Sequence, residues 1–453
     1  MHANNDEQRR LMLTEPIGRL LFKKALPTVI IQLITIIYNT ADTYFVAKIG
    51  TSASAAVGVV FSVMAIIQAI GFGIGMGANS LISPSLGAKR EQDANVFGST
   101  AVLMGFVLGT VLSVSGMVFL YPMLRLIGAS ETVLPYAAAY ARFILIAAPF
   151  MCVSFVLNNI LRAEGQAFYS MIGMSAGGVL NLALDPLFIF AFDMGIAGAA
   201  VATMIGQTVG FLILVSFFLR DRSIVKLRLK YVARTPSVYW RILRTGAPTL
   251  LRQGLASGAS VLLNVQARVF GDAAVAAISI ANKIYMLVRH VVIGVGHGFQ
   301  PIAGYCYGAK RYSRVKKVFW AATGAATVIC AAIAVSVFFF REPIMIWFRD
   351  DPQVVRIGSD MLRFLCVSIP LMAYSTFVNQ LYQSLGFAGG ASFLASCRQG
   401  LFFIPLVFLL PRLFGIAGVE SVQATADVLT FLISIPFHIA FFRKRLSAPD
   451  AED

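Results

Sequence analysis

The feature that most constrains this chain is a series of apolar segments, each long enough to cross a lipid bilayer. A membrane-spanning helix needs about 20 mostly apolar residues, and a backbone within lipid has to satisfy its own hydrogen bonds. Twelve segments meet this description, near residues 25–47, 55–82, 97–121, 136–161, 168–190, 194–218, 246–268, 275–302, 317–340, 361–384, 390–410 and 415–441. Charged residues make up only 13% of the chain, against about a quarter in soluble domains. The sequence therefore predicts an all-α polytopic membrane protein with twelve transmembrane helices.

The net charge of +16 is concentrated in particular connecting segments. The connector 219–245 holds eight Lys and Arg residues against one acid, Asp221. Basic residues accumulate on the cytoplasmic side of membrane proteins, so both termini are predicted to be cytoplasmic. The positive charge is expected to contact anionic lipid headgroups, and no nucleic-acid partner is predicted.

The chain contains an internal duplication with an offset of 221 residues. The string "LGAKR" at Leu86–Arg90 recurs as "YGAKR" at Tyr307–Arg311. The same offset relates several other pairs: Pro27 and Pro248, Gln32 and Gln253, Pro149 and Pro370, Asn158 and Asn379, Gly165 and Gly386. Each copy holds six predicted helices, an even number, so both copies enter the membrane in the same orientation. Two pseudo-symmetric bundles, related by an axis along the membrane normal and facing a cavity near the midplane, are typical of transporters.

The duplication predicts a simple domain organisation. It consists of an N-terminal tail (1–24), an N-lobe of six helices (25–218), a basic linker (219–245), a C-lobe of six helices (246–441) and a C-terminal tail (442–453). The leftover segments are too short for a separate catalytic domain, so the protein is not expected to be an enzyme. The glycines at 73, 75 and 77 are interpreted as close helix packing, since the spacing of a nucleotide-binding loop is absent.

Two carboxylates lie inside apolar segments of the first copy and have no counterpart in the second. Asp42 corresponds to Leu263, and after a small slip in the offset Asp185-Pro186 corresponds to Ile404-Pro405. At 1.5 Å per residue, both acids lie about 25 Å from the inner face, and the descending sixth helix places Thr203 near the same level.

Other polar groups near these acids would complete a set of oxygen atoms. Asn181 precedes Asp185 by four residues and shares its helical face. Pro186 lacks an N–H, so the carbonyl of Leu182 loses its partner and the helix is expected to kink. Hard oxygen atoms suit a sodium ion or a shared proton, and zinc poorly. The alternative is that each acid only joins neighbouring helices by hydrogen bonds.

The combination of these motifs resembles the multidrug and toxin extrusion (MATE) family. The resemblance rests on the two parallel halves, N-x-x-x-D-P in the fifth helix, "RAEGQA" at 162–167, "GFQPIAGYCYGAKRY" at 298–312 and "RQGLFFIPLVFLLP" at 398–411. It covers nearly the whole chain. It implies efflux of lipophilic, often cationic compounds in exchange for Na⁺ or H⁺, in a bacterial inner membrane.

The resemblance also implies which residues couple transport to the ion. The family's N-lobe site corresponds here to Asp42, Asn181, Asp185 and Thr203, which would also be the ligands if the ion is Na⁺. Tyr38 and Asn158 are expected to complete it. The sequence departs from the branch of the family with acids in the seventh and tenth helices, because 246–268 and 361–384 contain none.

The sequence therefore predicts a monomeric multidrug antiporter that needs no cofactor beyond its coupling ion. Cation binding from outside at Asp42 and Asp185 would bend or shift the first helix and release the drug from the cavity. Two alternatives remain open: a flippase for a lipid-linked saccharide, and a membrane-embedded hydrolase. In the second copy, Asp427 either pairs with a nearby arginine or contacts substrate, and His297 is interpreted as a packing residue.

Overall fold

The computed structural model describes residues 2–450, with side chains from residue 6. These residues form fifteen α-helices and no strand. The helices are α1 His2–Thr14, α2 Ile17–Ala47, α3 Thr51–Gly87, α4 Glu91–Val118, α5 Leu120–Leu126, α6 Leu134–Ala163, α7 Ala167–Pro186, α8 Gly195–Leu219, α9 Pro236–Arg268, α10 Asp272–Gly308, α11 Tyr312–Phe348, α12 Pro352–Ser384, α13 Ala388–Ser396, α14 Phe403–Phe414 and α15 Ile416–Arg445. A π-helix follows α7 at Leu187–Ala191, another joins α13 to α14 at Cys397–Phe402, and a 3₁₀ turn occupies Leu229–Tyr231.

Eleven helical spans in the described part of the chain are long and apolar enough to cross a membrane. The predicted segment 246–268 is helical, since it lies within α9, but α9 is not among the eleven. Arg252 and Gln253, together with several Gly and Ser residues, interrupt its apolar run. The all-helical prediction is confirmed, and the seventh segment is more polar than the rest.

The chain divides into two compact units. The first contains Leu26–Gly246 and the described part of the first eight residues. The second contains Arg9–Ala25 and the described residues from Ala247 onward. The segment 1–24, interpreted from the sequence as a tail, is largely helical, and Arg9–Ala25 belongs to the second unit.

Each unit is built around one buried helix. In the first unit, α6 packs against α3, α4 and α8, and every residue from Met151 to Ala163 is buried. In the second unit, α12 occupies the equivalent place against α10, α11 and α15. The repeat extends to helix boundaries, because α3 and α10 begin and end at positions related by the offset of 221. A helix that is apolar on all sides lies either in a protein core or in lipid, and α6 lies in the core of its unit.

Glycines of α3 allow close packing on two sides, as the sequence predicted. A Cβ added to Gly75 would lie 2.9 Å from the carbonyl oxygen of Phe155 in α6. On the other side, a Cβ added to Gly77 would lie 2.1 Å from the carbonyl oxygen of Ile242 in α9. Both distances exclude any larger residue without movement of a backbone.

The linker after α8 is held by side chains of α4 and by one buried carboxylate, Glu164. Glu164, between α6 and α7, is fully buried. Its Oε2 accepts the N–H of Ile224 at 2.8 Å, and its Oε1 accepts the N–H of Val225 at 3.0 Å. Ser223 Oγ donates to Oε1 at 2.6 Å. Burial raises the pKa of Glu164 to about 7, although these three hydrogen bonds favour its charged form.

Candidate cation site

The two intramembrane carboxylates of the first unit lie in one buried group of polar side chains. Asp42 on α2 is 4% exposed, and Asp185 on α7 is fully buried. They are close enough to interact electrostatically. Nδ2 of Asn181 lies 3.2 Å from Asp185 Oδ1 and 3.2 Å from Thr203 Oγ1 on α8. The four residues selected from the sequence therefore lie together.

A fifth member of the group, Tyr140 on α6, was missed by the sequence analysis. Its hydroxyl donates to Asp42 Oδ2 at 3.2 Å, and its side chain is 1% exposed. It also lies close enough to Asp185 and Thr203 to interact with both. The sequence carries no signal for this role, because a tyrosine in an apolar helix usually packs in the core or at an interface.

Three oxygen atoms of this group lack hydrogen-bond partners. Asp42 Oδ1, Asp185 Oδ2 and Asn181 Oδ1 are buried, and no described residue donates to them. Buried polar atoms are nearly always partnered, and an unpartnered buried carboxylate oxygen is costly. Two carboxylates and an amide oxygen form a hard donor set that suits a proton or an alkali-metal ion.

Glycines at the crossing of α7 and α8 bring Asn181 to Thr203. A Cβ added to Gly177 would lie 2.5 Å from the carbonyl oxygen of Gly206, and one added to Gly206 would lie 2.6 Å from that of Gly177. Asn181 is one turn beyond Gly177, and Thr203 is nearly one turn before Gly206. The close contact of the two backbones therefore sets the distance between these two polar side chains.

Pro186, where the sequence predicted a kink, is the last residue of α7. The α-helical hydrogen bonding stops there, and the chain continues as the π-helix Leu187–Ala191. Proline cannot donate to the carbonyl of Leu182, and short π-helical turns often occur at functional sites. Asp185 thus lies where the helix changes type.

The two further candidates differ in their placement. Tyr38 packs against α7, since a Cβ added to Gly178 would lie 3.1 Å from its ring, and it interacts electrostatically with Asp42. Asn158 is buried in α6, but within the described residues no hydrogen bond joins it to Asp42 or Asp185. Tyr38 belongs to the group, and Asn158 does not contact its carboxylates by a hydrogen bond.

In the second unit, Asp427 pairs with an arginine, which is one of the two alternatives left open by the sequence. Its Oδ1 lies 2.7 Å from Arg398 Nε, and the Asp427 side chain is 1% exposed. Tyr285 Oη donates to its Oδ2 at 2.6 Å. His297 is buried in α10 and has a partner, in agreement with a packing role.

The fold and the site define a multi-pass, all-helical membrane protein that repeats one helical bundle and holds the carboxylate pair Asp42 and Asp185 in the first copy. The chain belongs to the MatE family, whose model matches residues 27–187 and 248–409. These two matches correspond to the two copies of the repeat.

Curated relatives and solved structures cover nearly the full length. The chain is 28% identical over 429 residues to the multidrug export protein MepA of Staphylococcus saprophyticus, covering 94% of each chain. It is 27% identical over 448 residues to MepA of Staphylococcus aureus strain MSSA476, covering 99% of each. An outward-facing structure of a multidrug resistance MATE family transporter matches with a TM-score of 0.90 and 24% identity, covering 97% of this chain and 99% of the other.

Proposed function

We propose that this protein is a secondary active multidrug exporter that moves lipophilic or cationic compounds out of the cell in exchange for H⁺ or Na⁺. Membership of the MatE family and the full-length similarity to multidrug export proteins support this function. The observation that carries the coupling mechanism is the set of three unpartnered oxygens at Asp42, Asn181 and Asp185.

The charges of the site suggest how an ion would drive transport. Two carboxylates at close range in a medium of low dielectric repel each other strongly unless a proton or a metal ion lies with them. Binding of the ion would neutralise the pair, and Tyr140 and Thr203 would orient the oxygens. Such a change in charge on α2 and α7 is the event that we expect to favour one state of the transporter over the other. A potential of 100 mV supplies about 2.3 kcal/mol for each charge that moves across the membrane.

The topology follows from the charge distribution. The basic linker 219–245 is expected on the cytoplasmic side of a bacterial inner membrane, which would place both termini in the cytoplasm. Since both units belong to one chain, a monomer is expected to suffice, with lipids as its surroundings.

The test uses purified protein in liposomes loaded with a lipophilic cationic dye. A Na⁺ gradient and a pH gradient are imposed separately, and dye movement is recorded for the wild type, Asp42→Asn and Asp185→Asn. The matched control is Asp193→Asn, because Asp193 is exposed, lies eight residues beyond Asp185, and has a positive φ that asparagine tolerates. We expect one of the two gradients to drive dye movement in the wild type and in the control. The same gradient should drive no dye movement in the two site variants.

Two results would count against the proposal. Movement that persists in both site variants would exclude this coupling site. No movement under either gradient would exclude antiport of the dye and favour the flippase.

A further inference from the structure

The second unit contains a polar cluster of its own, centred on Arg398 in the π-helix between α13 and α14. Arg398 pairs with Asp427 through Nε, contacts the hydroxyl of Tyr285 through a terminal nitrogen, and lies with its guanidinium 5.7 Å from the centre of the Tyr285 ring. Gln423 donates to Asp427 Oδ1 at 3.2 Å. Arg398 and Asp427 thus compensate each other's charge and are held in place from α10 and α15.

Two further arginines lie beside this pair, and one of them, Arg289, shares the carboxylate of Asp427 with Arg398. Arg289 lies one turn beyond Tyr285 on α10, and Tyr285 contacts Arg398. Arg252 on α9 lies three residues before Leu255, whose side chain would be 3.1 Å from a Cβ added to Gly400, two residues beyond Arg398. Arg252 and Arg289 are therefore close enough to Arg398, and to each other, for electrostatic repulsion. Both side chains are partly exposed, and no hydrogen bond or ion pair links either of them to another described residue. Their N–H donors are therefore available.

The charge balance of this cluster calls for an anion. Three guanidinium groups face one carboxylate, and arginine stays protonated in proteins. A charged residue at the centre of a membrane helix costs about 2.5–3.5 kcal/mol on insertion scales, and Arg289, within the membrane-capable helix α10, shares one carboxylate with Arg398. Arginine binds planar oxyanions with two parallel hydrogen bonds, and two guanidinium groups from neighbouring helices can hold one carboxylate between them.

We propose that Arg252 and Arg289, supported by Arg398, bind the carboxylate of an amphiphilic substrate, so that the exporter also carries anionic or zwitterionic compounds. This inference rests on the proposed export function and specifies part of its substrate range. The site lies in the second unit, whereas the cation site lies in the first, so the two can be perturbed separately.

The experiment compares two probes with the same apolar group and opposite charges, pyrenebutyrate and a pyrenebutyl trimethylammonium salt. Binding to the full-length protein is measured by fluorescence in phosphatidylcholine nanodiscs, for the wild type, Arg252→Gln, Arg289→Gln and the double variant. The control is Arg268→Gln, at the exposed end of α9. We expect the Kd of pyrenebutyrate to rise at least tenfold in the double variant and to stay unchanged in the control. The cationic probe should keep its affinity in all variants, which also shows that the double variant is folded.

Three outcomes would overturn the assignment. The first is unchanged binding of pyrenebutyrate in the double variant. The second is an equal loss of both probes. The third is a combination of two results: phosphatidylglycerol in the nanodisc displaces pyrenebutyrate, and no gradient moves the probe in liposomes. This combination would assign the arginines to a lipid headgroup. Probe binding is measured without any ion gradient. A failure of dye antiport, which tests the proposed export function, can therefore be distinguished from a failure of the arginine site to bind pyrenebutyrate.

Discussion

The glycine crossing of α7 and α8 gives a sharp test of how packing sets the geometry of the cation site. In a Gly206→Ala variant, the new Cβ would lie 2.6 Å from the carbonyl oxygen of Gly177 and 3.1 Å from Cβ of Asn181. Ordinary carbon–oxygen contacts are longer, so the helices must separate by about 1 Å. The 3.2 Å contact between Asn181 and Thr203 would then exceed hydrogen-bonding distance.

The expected magnitudes follow from these distances. Overpacking of a close helix contact costs about 1–3 kcal/mol, and loss of one hydrogen bond costs about 1 kcal/mol. We therefore expect a lower Tm for purified Gly206→Ala and a roughly fivefold higher cation concentration for half-maximal dye transport in liposomes.

The matched control is Gly58→Ala on α3, where an added Cβ meets nothing within 4 Å. There, alanine should be neutral or slightly stabilising. The reasoning would be refuted if Gly206→Ala kept both the Tm and the half-maximal cation concentration of the wild type.

Two further predictions concern buried charges away from the cation site. The pKa of Glu164 is raised from 4.5 to about 7, so docking of the linker should be strongest below pH about 4.5 and weaken by about 3 kcal/mol as the pH rises through 7. Hydrogen exchange at the amide of Ile224 is measured across this pH range and corrected for the intrinsic pH dependence of exchange. The amide should lose protection in the wild type and show no such change in Glu164→Gln. The same loss of protection in the variant would assign the pH dependence to another group. In the second unit, Asp427→Asn leaves the guanidinium of Arg398 without its carboxylate and should destabilise the protein by about 3–5 kcal/mol, measured as a lower Tm in detergent. The double variant Asp427→Leu, Arg398→Met should lose much less, and an equal loss in both would show that the charge is unimportant.

Much of the fold could be predicted because its determinants are local. Each apolar run is long enough to identify a helix, and the offset of 221 residues identifies the two copies. Counting residues along the first and fifth predicted helices placed Asp42 and Asp185 at one level, and the two side chains do lie in one buried group. The extent of each helix beyond the apolar run was not predictable in this way, because polar residues at the helix ends carry no hydropathy signal.

The rest of the candidate site depends on contacts between distant helices. Tyr140 reaches Asp42 across 98 positions of sequence, and nothing local to "YAAAYARF" indicates the direction of its side chain. Asp427 and Arg398 are 29 positions apart, on different helices, so the sequence left two roles open for Asp427. The attachment of the linker to Glu164 also joins segments about 60 positions apart. Such partners are determined by tertiary packing, which periodicity and composition do not encode.

The assignment of Arg9–Ala25 to the second unit has a consequence for biosynthesis. In that unit, Arg314 at the start of α11 donates to the carbonyl oxygens of Met12 and Glu15, about 300 positions earlier. At about 5–20 residues per second, the ribosome needs on the order of 15 to 60 seconds to supply this partner. Arg9–Ala25 therefore waits for its final contacts until well into the synthesis of the second copy. A nascent chain arrested before α11 should leave this segment accessible to protease, and completion of the chain should protect it.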